Sequence, residues 1–138
     1  MRHQVFLLSP ANCGGVRARR VVSDAATFAL AEQLRTPAGA SLGEVFSFVS
    51  GLYFRGKLAY ARRFARPPDP TDRVVASGVL IITPNAGLRA ADVAVTRESI
   101  QAFAGEPIDL DNVRYRRPLE QSARALCATI GPDCDVVL

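Results

Sequence analysis

The amino-acid sequence predicts an α/β fold: a single three-layer domain with a small, mostly parallel sheet flanked by helices. Three observations carry that expectation. The chain opens on Val5-Phe6-Leu7-Leu8, a short apolar run of buried-strand type. A second run, Val74 to Ile82, is apolar almost without interruption, and its lack of alternation implies cover on both faces. Between and after these runs, apolar residues recur at the spacing of helices that pack on a sheet. A chain of 138 residues, 49% hydrophobic and 22% charged, suits one domain over residues 1–138 with a sizeable core.

The elements follow in order. After the first strand, Ser9-Pro10-Ala11-Asn12-Cys13-Gly14-Gly15 is a turn punctuated by Pro and paired Gly, and a basic helix start with Arg17, Arg19 and Arg20 follows. Ser23-Asp24 is expected to cap a helix running to Arg35, with Ala26, Leu30 and Leu34 on its inner face. Ser41 and Glu44 form a capping-box pair that starts a helix with the stripe Leu42, Val45, Phe46 and Val49. Gly51 interrupts it. A further helix, Leu52 to Arg66, turns Phe54, Leu58 and Ala61 inward and carries Arg55, Arg62 and Arg66 on one outer face, up to Pro67.

The Val74–Ile82 strand then leads into Thr83-Pro84-Asn85-Ala86-Gly87-Leu88. Thr96 caps a helix through Phe103, ended by Gly105. Glu106 to Arg117 reads as irregular, and Pro118 sits at the start of a helix that Gly131-Pro132 ends. Cys134 to Leu138 is a third strand. Three strands are few against a usual five or six or so. This points to a chain truncated after its last strand, a naturally short version, or half of a dimer sheet.

Composition narrows the chemistry. The formal net charge is +4, and sixteen of seventeen basic residues are arginine, the side chain suited to bidentate phosphate or carboxylate recognition. The single histidine, His3, leaves no pair for a zinc site and only a terminal residue for a Ser-His-Asp site. Three cysteines without CxxC spacing fit a reducing compartment. No apolar run reaches the roughly 18 residues of a membrane helix, and Val5–Leu8 is too short for a signal peptide. The expectation is a cytoplasmic protein with no membrane partner and no cofactor.

Strand, glycine loop and basic helix start form an arrangement that holds anions, because backbone N–H groups and the helix dipole favour negative charge. Ligands of α/β sheets bind at loops leaving the carboxyl ends of strands. The expected site therefore joins two loops: Ser9, Asn12, Gly14, Gly15, Arg17 and Arg19 on the first, Thr83 and Asn85 on the second. The expected ligand bears phosphate, a nucleotide or a nucleic acid, with Arg55, Arg62 and Arg66 as a separate nucleic-acid face. Neither GxxxxGK[ST] nor GxGxxG is present, which disfavours P-loop NTPases and dinucleotide enzymes.

Cys13 and Arg19 stand in CxxxxxR spacing, similar to the signature loop of tyrosine phosphatases. That likeness implies a second reading, cysteine-dependent phosphate-ester hydrolysis, with Asp69 as general acid. A third reading is a non-catalytic domain that pairs, as a homo-oligomer, through its terminal strand.

Phe6-Leu7-Leu8-Ser9-Pro10-Ala11 resembles the strand-and-SPA opening of the YaaA peroxide-stress family. Ile81 to Asp92 resembles that family's second loop, and Leu52-Tyr53-Phe54 with Tyr60-Ala61-Arg62-Arg63 resembles a tyrosine-bearing basic helix of a related bacterial group. Asn12 stands where that family has lysine. The resemblance implies a three-layer α/β domain with a nucleotide- or nucleic-acid-related site.

Overall fold

The computed structural model describes residues 2–138. Six strands and six helices alternate as β1 (His3–Leu8), α1 (Val16–Val21), α2 (Ala29–Leu34), β2 (Ala40–Ser41), α3 (Leu42–Ser50), α4 (Leu52–Phe64), β3 (Val79–Ile82), β4 (Leu88–Ala90), β5 (Ala94–Val95), α5 (Arg97–Ala104), α6 (Val113–Ile130) and β6 (Cys134–Val137). The main sheet runs β4-β3-β1-β6. β1 is parallel to β3, with Phe6 opposite Val79, and to β6, with Phe6 opposite Val137. β4 returns antiparallel to β3, with Leu88 opposite Ile82. The sheet is therefore small and mostly parallel, as expected. β2 and β5 form a separate antiparallel pair.

The unbroken apolar runs have a two-sided explanation. Phe6, Leu8, Val79 and Ile81 join one core with α1 to α5. Val5 and Leu80 face the other way, into a smaller core closed by Leu126 and Ile130 of α6. Helices thus cover both faces, giving three layers. In the larger core Phe46 is fully buried and meets Phe54 and Phe103 edge-on at 5.9 and 6.2 Å.

Several expectations need correction. The run Val74–Ile82 is a strand only from Val79. Asp72 Oδ1 accepts the Val74 and Val75 amides, Ala76 N–H reaches Asp72 O, and Gly78 turns with φ +71°. A capped turn thus claims the first half of the run, since a nearby carboxylate satisfies its amides locally. The helix expected from Ser23-Asp24 to Arg35 begins only at Ala29, as α2, with a turn before it. Ser23 Oγ accepts the Ala25 amide, and Arg35 draws the Ser23 and Ala26 carbonyls into a turn. α4 ends at Phe64, so Arg66 leaves the helix; its backbone bridges to Gln4 and its Nε donates to Arg2 O.

α6 begins five residues before Pro118, at Val113, because Asn112 Oδ1 caps the Arg114 amide. Asn112 Nδ2 is itself anchored on Pro107 O and Glu106 Oε2. Pro118 then sits inside the helix. Strand β4 was not expected: Thr83 N–H and Oγ1 both donate to Gly87 O, and this tight turn sends the chain back along β3.

Gly39 has φ +69°, and a Cβ there would overlap the Val95 carbonyl, whereas Gly105 has φ −86° and open space around it. Gly39→Ala should cost more than about 2 kcal/mol in urea unfolding. Gly105→Ala should be neutral or stabilising by up to about 1 kcal/mol.

Candidate functional site

The Ser9–Gly15 loop is braced from within. Ala11 and Cys13 are buried beneath it. Asn12 Oδ1 accepts the Gly14 amide at 3.0 Å, and Asn12 O accepts the Gly15 amide at 3.4 Å. Arg19 folds back so that Nη1 donates to Gly14 O at 2.9 Å. The Gly14 and Gly15 amides are thus engaged by the loop itself.

The two predicted loops both reach the last turn of α5. Asn85 Nδ2 donates to Ala102 O at 3.1 Å, and Ala104 O lies 3.2 Å from where a Gly14 Cβ would stand. Thr83 is fully buried and spends its hydroxyl on Gly87 O and the Ala86 amide, so its part there is structural. A cavity of about 360 Å³ separates the loops, lined by Asn12, Cys13, Pro84, Phe103 and Glu106 among others. It receives the carbonyl end of a helix, the negative end of its dipole, and its one charged lining residue is acidic. Arg17 and Arg19 do not reach it. This junction is therefore poorly suited to an anion.

Burial pushes the Cys13 thiol up to about 12, so it stays protonated at neutral pH. A neutral thiol is a weak nucleophile. Asp69 is exposed, and the Thr71 hydroxyl and amide hold its carboxyl below the usual range, which keeps it ionised rather than ready to donate a proton.

On the other side of Ser9, the carboxyl ends of β1 and β6 meet α4 around a cleft of about 440 Å³. Its floor is Phe6, Leu7 and Leu8; its walls include Ser9, Leu52, Tyr53, Lys57, Tyr60 and Leu138. Tyr53 is 83% and Tyr60 60% exposed. Tyr60 is held edge-on by Phe6 at 6.0 Å, and Lys57 Nζ sits 5.6 Å above the Tyr53 ring. Both rings come from α4, whose Phe54, Leu58 and Ala61 anchor it in the core and leave the flanking positions 53, 57 and 60 at the cleft.

Arg17 stands beside the start of α4, next to the cleft-lining Leu52. Its guanidinium lies over Gly51, the residue before Leu52, where φ is +80° and no Cβ intrudes. Among the described residues it has no carboxylate partner, and the first turn of α4 holds no acidic residue. A guanidinium without a carboxylate partner attracts an anion.

The three arginines expected to share a face do not form one patch. Arg55 and Arg62 line a shallow groove with Glu44 and Ser47, and Arg62 pairs with Asp92 at 3.2 Å. Arg66 lies apart, beside β1. Of the predicted residues, the structure places Ser9 in the cleft wall, Arg17 beside Gly51, and Asn12, Gly14 and Asn85 at the α5 junction. Lys57 and the cleft role of Tyr53 and Tyr60 were not predicted; their spacing beside the inner stripe of α4 was the available signal.

No family model matches the chain, and no curated protein or solved structure matches it. The fold and site define a small three-layer α/β protein with an aromatic cleft at its strand ends.

Iodoacetamide at pH 8 should modify exposed Cys127 in the native protein and leave Cys13 unlabelled by mass spectrometry. The Cys13 thiol ionises near 9 when unfolded and about 12 when folded. Its contribution to stability is therefore intact below 9 and falls by up to about 1.4 kcal/mol per pH unit as pH rises through that window. Unfolding midpoints of the native protein and Cys13→Ala, compared across it, measure this.

Proposed function

We propose that the protein binds a nucleotide or nucleic acid, with a base in the cleft between α4 and the ends of β1 and β6. The observation that carries this reading is the pairing of two exposed tyrosine rings with Lys57 and Ser9 around about 440 Å³. That volume is within the range of small-ligand sites. A base offers a flat π-face to the tyrosines and polar edges to the Ser9 hydroxyl; its phosphate meets Lys57 and Arg17. Lys57 lines the cleft and Arg17 stands beside Gly51, next to the cleft-lining Leu52, and no Asp or Glu side chain lines the cleft. Stacking on an aromatic side chain contributes about 1–3 kcal/mol per base. The likeness of the strand-and-SPA opening to the YaaA family supports the same class of ligand. The site is read as binding, with no reaction assigned, because the buried Cys13 thiol is neutral.

One observation favours pairing as a second reading. β6 is an edge strand, bonded to β1 on one side only, and Val136 and Leu138 beside it are exposed. A molecular mass that rises with concentration and is unchanged by nucleotides would support pairing over ligand binding.

The chain has no tryptophan, so emission comes from its three tyrosines, the exposed Tyr53 and Tyr60 and the buried Tyr115. Nucleoside monophosphates should quench it saturably. Tyr53→Ala should weaken binding by roughly tenfold. Arg17→Ala should weaken binding by a similar factor and flatten its salt dependence. Unchanged emission at millimolar nucleotide would rule the reading out.

A further inference from the structure

We infer that the cleft is one end of a longer track for single-stranded nucleic acid that runs along α4; this rests on the base-in-cleft reading above. Tyr53, Lys57, Tyr60 and Phe64 follow one another at intervals of four, three and four residues, which makes one stripe of a helix. All four are exposed. Along the stripe, a cation flanks the ring at each end. Lys57 Nζ is 5.6 Å from the centre of the Tyr53 ring, the Tyr60 and Phe64 rings are 4.6 Å apart, and the Arg63 guanidinium is 5.8 Å from Phe64. Gly56 lies within the cleft wall and has open space around it, so a base can enter between the two tyrosines.

Length and charge select the ligand. From residue 53 to residue 64 the stripe extends about 16 Å at 1.5 Å per residue. The Tyr60 and Phe64 rings pack on each other with no room for a base between them, so bases rest on two platforms, Tyr53 and the Tyr60–Phe64 pair, and an unstacked strand spanning about 7 Å per base, twice the stacked spacing of ~3.4 Å, reaches both. The track therefore holds about two or three bases, more than a mononucleotide supplies. Lys57 on the stripe and Arg63 beside it are the cations that face such a strand, and α4 carries no acidic residue, which complements a polyanion. A duplex keeps its base faces stacked on each other, out of reach of the rings; an unpaired strand presents them.

The test is fluorescence anisotropy with end-labelled deoxythymidine and uridine oligomers of increasing length, beside a blunt duplex and a labelled mononucleotide. Affinity should rise at least about tenfold from mononucleotide to trimer and change little beyond. It should do so on the ribose or the deoxyribose backbone, and the duplex should bind less. The double variant Arg63→Ala, Phe64→Ser, with its fold checked by circular dichroism, should lose that gain with length. Equal affinity for mononucleotide and trimer would overturn the track while leaving the nucleotide site standing. Binding of neither would remove both. Tighter binding of the duplex, or self-association that excludes the oligomers, would also overturn the track.

Discussion

Strand β1 has a parallel neighbour on each side and is covered on both faces, and the rest of the molecule is arranged to meet that condition. β3 and β6 supply the two hydrogen-bonded edges. The α3–α4 layer covers Phe6 and Leu8, and α6 covers Val5. Because both neighbours run parallel to β1, the carboxyl ends of three strands emerge at one rim. Ser9 is the first residue past the sheet there. On one side of it lies the braced glycine loop, and on the other lies the aromatic cleft.

The second determinant is the break between α3 and α4. Gly51 adopts a left-handed φ of +80°, which ends one helix and starts the next in a new direction. α4 then presses Phe54, Leu58 and Ala61 into the core and lays Tyr53 and Tyr60 along the rim. The missing Cβ also admits the Arg17 guanidinium, which delivers a charge from α1 to the start of α4. A side chain at position 51 would disturb both features together.

Electrostatics separate the two neighbouring concavities. At the α5 junction, carbonyls and Glu106 make the surroundings negative, and the nearby Arg114 is matched to Glu106 at 3.1 Å. Around the cleft, Arg17 and Lys57 have no carboxylate partner among the described residues. Exposed ion pairs such as Arg62–Asp92 contribute about 1 kcal/mol or less, so their role in stability is small. Their effect is to decide which arginines remain unmatched, and those lie away from the junction where two loops first suggested a site.

Elements governed by contacts within a few residues were legible in the chain. The Ser41 cap, which accepts the Glu44 amide, the Thr96–Ser99 capping box and the inner stripe of α4 all rest on local spacing. So did β1, since an apolar run covered on both faces has no alternation. The start of β3, the late start of α2, the early start of α6 and the return of β4 were not legible. Each depends on one polar group, Asp72, Arg35, Asn112 or Thr83, taking a backbone partner that an equally plausible pattern would have left to a strand or helix. The amino-acid order alone determined the α/β class, the two-sided burial of β1 and the surplus of guanidinium groups, because period and charge are properties of the chain. Only the tertiary structure decided where those groups stand and which rim residues share a cleft. Such placement follows from how α1, α4 and β6, far apart in sequence, pack around a single strand.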